Sequence, residues 1–177
     1  MQRRDFLRAS SLVALSLSPL LAHALGTDTV QDLPQTPKMP VLFVGHGSPM
    51  NAIENNSFRQ NWQKIGKELP KPAAILMVSA HWLTDGNTAI MAANKPETIH
   101  DFGGFPDELF AQQYPATNSP QAAQLTADLL KKPLADGTQV KTAFDLRQGY
   151  DHGTWSVLLP MFPQANIPVF QISIDYF

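Results

Sequence analysis

The stretch that decides the fold is residues 73–79, which read Ala-Ala-Ile-Leu-Met-Val-Ser. It is a continuous apolar run of strand length, and a strand buried on both faces, as in a parallel sheet covered by helices, has this pattern. Residues 41–44 (Val-Leu-Phe-Val) and residues 167–174 have the same character. These runs predict an α/β domain with a mostly parallel central sheet flanked by helices.

Three helices are predicted around these strands. Between the first two strands, apolar residues recur at spacings of 4, 3 and 4, which is one face of an amphipathic helix: Phe58, Trp62, Ile65 and Leu69. Strand, helix and strand would form a βαβ unit. A second helix is predicted to have Ser119 as its N-cap, to start at Pro120 and to end before Pro133. A third is predicted near Gly153. Because no segment follows the last strand, the sheet is predicted to be incomplete at its C-terminal end.

Composition excludes several functional classes. The 177 residues include 13 basic and 15 acidic side chains, and no Lys/Arg cluster follows the first eight residues, so nucleic-acid binding is not expected. The chain has no cysteine, which excludes disulfides, thiolate nucleophiles, zinc fingers and iron–sulfur ligation. Any bound metal must therefore be held by His, Asp or Glu.

The first residues differ in composition from the remainder of the chain. Arg3, Arg4 and Arg8 precede an apolar run from Leu12 to Ala22. This order predicts a twin-arginine-type signal peptide over residues 1–24, export by the twin-arginine machinery and a periplasmic location in a bacterium. A permanent transmembrane helix needs about 20 apolar residues, so stable membrane insertion is not expected. The alternative is an amphipathic helix packed on the domain.

The remainder of the chain divides into two parts. Residues 25–38, rich in Thr, Asp, Gln and Pro, are predicted to be a linker, and residues 39–177 to be the folded domain.

Two histidines occupy equivalent places after predicted strands. His46 lies in Gly45–Pro49 (Gly-His-Gly-Ser-Pro), and His81 lies in Ser79–Trp82 (Ser-Ala-His-Trp). Ligand sites in open parallel sheets form beyond the carboxyl ends of the strands, so the two imidazoles are expected to meet in one cleft as a metal pair. The alternative is that each is a loop histidine bonded to nearby backbone.

Two further histidines are candidates for other roles. His152 falls at the predicted start of the third helix, where the helix dipole favours a neutral imidazole that acts as a base or hydrogen-bond donor. The alternative is a capping segment. His100 precedes a loop of glycines and aromatics that suits a rim around a flat substrate, or else a turn whose phenylalanines return to the core.

Four segments, in this order and with these separations, resemble the 4,5-DOPA extradiol dioxygenase family: Pro40–Asn51, Val78–Trp82, Ile99–Pro106 and Tyr150–Trp155. That family belongs to the class III extradiol ring-cleavage dioxygenases and is related to the catalytic subunit of protocatechuate 4,5-dioxygenase. The resemblance implies an α/β domain with one mononuclear non-haem metal site, holding Fe(II) or Zn(II), that opens catechol-type rings with O2.

The resemblance also implies roles for single residues. It makes His46 and His81 metal ligands and gives His152 a part in catalysis or substrate binding. Trp82, Phe102 and Phe105 are candidates for stacking on the aromatic ring, or else are core residues.

The family continues beyond the strand that ends at Asp175, and that part carries a further metal ligand and another active-site histidine. The resemblance therefore implies that residues 39–177 are the N-terminal part of a catalytic domain, truncated at its C-terminal end. Two alternatives to a dioxygenase are a metal-binding remnant without turnover and a metal-dependent hydrolase.

Overall fold

The structure is a computed structural model that describes residues 36–176. The predicted signal peptide and residues 25–35 of the predicted linker lie outside the described residues, as does Phe177.

The described chain alternates short helices with four strands. We number the helices α1 to α4 and the strands β1 to β4 in chain order. A short 3-10 helix, Pro49–Ala52, precedes them. The helices are α1 (Ser57–Glu68), α2 (Asp107–Phe110), α3 (Pro120–Leu130) and α4 (His152–Met161). The strands are β1 (Ile75–Thr84), β2 (Thr88–Met91), β3 (Thr142–Asp145) and β4 (Val169–Asp175).

The strands form one sheet in the order β1-β4-β2-β3. β1 pairs with β4 in parallel, from Ile75 opposite Val169 to Thr84 opposite Asp175, and β2 pairs with β3 in parallel. β2 and β4 meet in antiparallel orientation, with Ile90 opposite Ile172. The prediction of a mostly parallel α/β sheet flanked by helices is confirmed.

The helices begin where local capping chemistry predicts. Ser119 accepts a hydrogen bond from the backbone N–H of Ala122 (3.3 Å), which confirms it as the N-cap before Pro120. Asp151 accepts from the N–H of Thr154 (3.1 Å) in the same way at the start of α4. A cap satisfies a donor that the first turn of a helix leaves unpaired, so these starts are set within a few residues of sequence.

The predicted strand at residues 41–44 is wrong. This segment has no regular secondary structure, and Val41 and Phe43 are 98% and 105% exposed. A strand exists only where a neighbour pairs with its backbone groups, and no strand among residues 36–176 pairs with this segment. The predicted βαβ unit is therefore reduced to α1 and β1.

The predicted end of the next strand is also wrong. β1 does not stop near Ser79 but continues to Thr84, so His81 lies within the strand. Its register against β4 shifts between Val78 and Leu83. Such an irregularity bends a strand locally and changes the direction of its side chains.

The main core lies between the sheet and the helices, and its fully buried members include Ile90, Leu109, Tyr114 and Trp155. A smaller cluster joins α1 to α4 through Trp62, Val157 and Met161. Within residues 36–176, none of the helices is both long and apolar enough to cross a membrane.

Candidate metal centre

His46 is placed by a turn tied to the first helix. Gly47, with φ of +62°, follows it, and the side chain of Asn51 donates a hydrogen bond to the backbone oxygen of His46 (3.0 Å). Asn51 accepts in turn from the side chain of Asn56, the N-cap of α1 (2.9 Å). These two side-chain hydrogen bonds fix the backbone of His46, although no strand precedes it.

His81 lies in the irregular part of β1. Its backbone N–H donates to the hydroxyl of Ser79 (3.2 Å), and this hydroxyl donates to Oδ1 of Asp151 (2.7 Å). The backbone around His81 is thereby attached to the start of α4, where His152 is the first residue.

The three histidines converge on one point. Nε2 of His46 lies 2.9 Å from Nε2 of His81. The ring of His152 is 5.0 Å from that of His46 and 3.9 Å from that of His81, between ring centroids. One nitrogen from each ring falls within 4.8 Å of the other two. The structure thus brings together the predicted metal pair and His152, and it extends the pair to a group of three.

This group fits a transition-metal ion. Nitrogens that bond a metal at about 2.0–2.1 Å and lie 2.9 Å apart subtend an angle of about 90° at the ion. Burial, and then the nearby His152 and His81, lower the pKa of His46, which favours the neutral imidazole that binds metals. Imidazole ligands without thiolate suit iron, zinc or copper.

The carboxylate of Asp101 lies beside the Nδ1 atoms of two of the three rings. Oδ1 of Asp101 accepts from the backbone N–H of His152 (2.9 Å) and lies 2.9 Å from Nδ1 of the same residue. Oδ2 of Asp101 lies 3.8 Å from Nδ1 of His81. Burial alone would raise the pKa of Asp101, but the hydrogen bonds and charge of His152 lower it overall. Asp101 is therefore ionised at neutral pH.

A second carboxylate lies beneath the site. Asp151 is 2% exposed and accepts from the Ser79 hydroxyl, the Thr154 N–H and the side chain of Gln171 (2.8 Å). It connects β1, α4 and β4 at one buried point. The three hydrogen bonds that converge on this side chain hold the three elements together.

Aromatic side chains flank the histidines on one side. The ring of Phe102 lies 5.5 Å from that of His152 and 5.3 Å from that of Phe105. His100 packs 5.8 Å from Phe102, and its Nε2 lies 3.0 Å from the backbone oxygen of Gln112. Of the predicted substrate contacts, Phe102 therefore packs on His152, and His100 and Phe105 pack on Phe102.

Trp82 has a different environment. It is 8% exposed and belongs to the main core, so it offers a substrate little surface.

Sequence reasoning did not identify Asp101 and Asp151 as site residues. Each is the chain neighbour of a candidate histidine, in His100-Asp101 and Asp151-His152. That adjacency was the available signal. Adjacency in sequence could not show that Asp101 contacts His152 and His81 rather than His100, because these contacts join residues 51 and 20 positions apart.

The structure defines an α/β protein with three histidines that could share one metal ion, and comparison with known proteins names the family. Residues 36–176 match the family described as the catalytic LigB subunit of aromatic ring-opening dioxygenase. The chain belongs to this enzyme family, which confirms the resemblance seen in the motifs.

Individual relatives agree. The chain is 51% identical over 138 residues to a 4,5-DOPA dioxygenase extradiol of Escherichia coli K12, covering 78% of this chain and 48% of that protein. It is 40% identical to a 4,5-DOPA dioxygenase extradiol of Beta vulgaris, covering 75% and 49%. A crystal structure of an uncharacterized Escherichia coli K12 protein matches with a TM-score of 0.58 and 42% identity, covering 78% and 48%. The chain thus spans about half the length of the relatives it matches.

Proposed function

We propose that this chain contributes the metal-binding half of an extradiol dioxygenase that opens a DOPA-like catechol with O2 at one mononuclear site. The observation that carries the proposal is the 2.9 Å separation of the Nε2 atoms of His46 and His81, with His152 beside them. Family membership supports the reaction class.

In this proposal His46 and His81 hold the metal. When bound, iron(II) supplies the redox chemistry that O2 activation requires, whereas zinc fits the same ligands without redox chemistry. We therefore propose Fe(II) as the metal of the active form.

His152 handles the catechol proton in this proposal. It is buried at the start of α4 with the carboxylate of Asp101 at its Nδ1, so its ring is oriented to accept a proton from a catechol hydroxyl. Asp101 lies 2.9 Å from Nδ1 of His152, which leaves Nε2 as the nitrogen available to accept that proton. Phe102 lies at the edge of His152 and offers a surface for a flat ring.

Turnover is tested by loading the full chain with Fe(II) without oxygen, then adding DOPA and air. Oxygen consumption with formation of a ring-opened semialdehyde is the expected result, followed by absorbance and an oxygen electrode. Stoichiometric metal uptake without oxygen consumption would contradict the proposal and restrict the chain to metal binding.

The separate roles are tested by three variants. His46→Ala and His81→Ala should each abolish stoichiometric metal binding. His152→Ala should keep the metal and reduce turnover by about 10²–10⁴-fold, the usual contribution of a positioned acid or base. If His152→Ala loses the metal as His46→Ala does, His152 is a ligand and its assignment as the base is wrong.

We also propose that the protein is exported to the periplasm. The support is the order of residues 3–22, in which arginines precede an apolar run. These residues lie outside the described part of the chain. Fractionation of bacteria that express the full chain should find it in the periplasm. An Arg3→Lys, Arg4→Lys double variant that is exported as efficiently would count against the twin-arginine route.

A further inference from the structure

One carboxylate faces two of the three clustered imidazoles, each at its Nδ1 edge. Oδ1 of Asp101 is 2.9 Å from Nδ1 of His152, and Oδ2 is 3.8 Å from Nδ1 of His81. Asp101 also accepts the backbone N–H of His152 at the start of α4, which anchors the loop that carries Asp101 to the helix. Asp101 therefore lies at the Nδ1 side of both rings, and for His81 this is the side away from the nitrogen that meets His46.

An imidazole can present a lone pair at only one nitrogen when the other carries the proton. A carboxylate beside Nδ1 favours the tautomer with its proton there, and it leaves Nε2 free to bind a metal or accept a proton. Nε2 of His81 faces Nε2 of His46, in agreement with this arrangement. Nδ1 of His46 and Nδ1 of His152 are both buried without an aligned hydrogen bond, but Asp101 lies 2.9 Å from the Nδ1 of His152, where its charge favours a proton on that nitrogen.

We propose that Asp101 is a positioning residue that fixes the tautomer and ring orientation of His81 and His152, so that both direct Nε2 at the shared point. The proposal deepens the proposed function and rests on it for the metal. A carboxylate that orients metal-binding histidines from behind typically changes metal affinity by 10–100-fold.

The first test needs no variant. In the metal-free full chain at pH 8, nitrogen-15 NMR of the imidazoles distinguishes a protonated nitrogen from one with a free lone pair. The proposal expects His81 and His152 as Nδ1–H tautomers. If either ring carries its proton mainly on Nε2, the proposal is overturned.

The second test compares Asp101→Asn with Asp107→Asn. Asn retains the size of Asp101 and removes its charge, while Asp107 is an exposed carboxylate at the start of α2. We expect Asp101→Asn to mix the tautomers of both rings and to weaken Co²⁺ binding, followed by absorption, by 10–100-fold. Asp107→Asn should leave both readouts unchanged.

Unchanged tautomers in Asp101→Asn would overturn the proposal, whatever happens to Co²⁺ affinity. Neither readout uses oxygen or a catechol, so a chain that binds Co²⁺ but does not open a ring would fail the proposed function and leave the role of Asp101 standing. A wild-type chain that does not bind Co²⁺ would fail the proposed function, and the tautomers would still decide the role of Asp101.

Discussion

Within the site, the packing is tightest around Gly153. A Cβ at this position would lie 2.6 Å from Oγ of Ser79, 2.8 Å from Cδ2 of His81 and 3.1 Å from Oδ1 of Asp151. Real Cβ atoms do not approach neighbours below 3.0 Å. The start of α4 can therefore approach β1 this closely only because residue 153 has no side chain.

We expect Gly153→Ala to displace the His81 ring and break the Ser79–Asp151 hydrogen bond. Co²⁺ affinity should fall by at least about 10-fold, and unfolding should become easier by roughly 1–3 kcal/mol, as for an overpacked core. Metal titration and urea denaturation measure the two effects.

Gly103→Ala is the matched control, because a Cβ there meets no atom within 4 Å and the backbone needs no positive φ. Its stability should change by less than about 0.5 kcal/mol. Equal metal affinity in the two variants would contradict the close packing described at Gly153.

At the scale of elements, α1 and α4 cross at Gly66. A Cβ at Gly66 would collide with the backbone oxygen of Met161, near the C-terminal end of α4. The contact is between backbones, so no side-chain rotation can relieve it. Trp62 packs beside this crossing with Val157 and Met161.

Gly66→Ala sets two effects against each other. Alanine in a helix interior is favoured over glycine by about 1 kcal/mol, but the collision requires α1 and α4 to separate. We expect the collision to dominate and the free energy of unfolding to fall by about 2 kcal/mol in urea denaturation.

Lys67→Ala, at an exposed position of the same helix, should change stability by less than about 0.5 kcal/mol. A Gly66→Ala variant more stable than the wild type would show that the crossing is looser than described.

At the scale of the whole molecule, several large apolar side chains are exposed to solvent instead of being packed in the core. Val41 and Phe43 are almost fully exposed, and Leu76 and Val78 of β1 are 44% and 55% exposed. β1 is at the edge of the sheet, so its outer backbone groups have no neighbouring strand among the described residues. Exposed apolar groups beside an open edge favour association between molecules.

We expect Phe43→Ser to change the free energy of unfolding by less than about 0.5 kcal/mol and to reduce self-association in size-exclusion chromatography. Ile90→Ala, in the fully buried centre of the sheet, should cost about 2–5 kcal/mol. A loss above about 1 kcal/mol in Phe43→Ser would mean that residues 41–44 are packed, as the sequence pattern first predicted.

The sequence by itself determined the features that depend on residues close together in the chain. Ser119 caps α3 through a donor three positions away, and the 4-3-4 spacing around Trp62 predicts the helix that the structure shows as α1. The same spacing does not determine burial, because Phe58 on that face is 55% exposed. The histidine motifs were recognisable because Gly, Ser and Pro stand directly beside His46.

Only the tertiary structure decided the features that need a distant partner. Residues 41–44 have strand composition but no neighbour to pair with, and β1 continues past Ser79 because β4 pairs with it as far as Thr84. His46 and His81 meet although neither follows a strand end, since Asn51 holds one and the irregular strand directs the other. The residues of β4 that pair with β1 lie 91 to 94 positions further along the chain, and the two imidazoles that meet are 35 positions apart, so local sequence does not specify these partners.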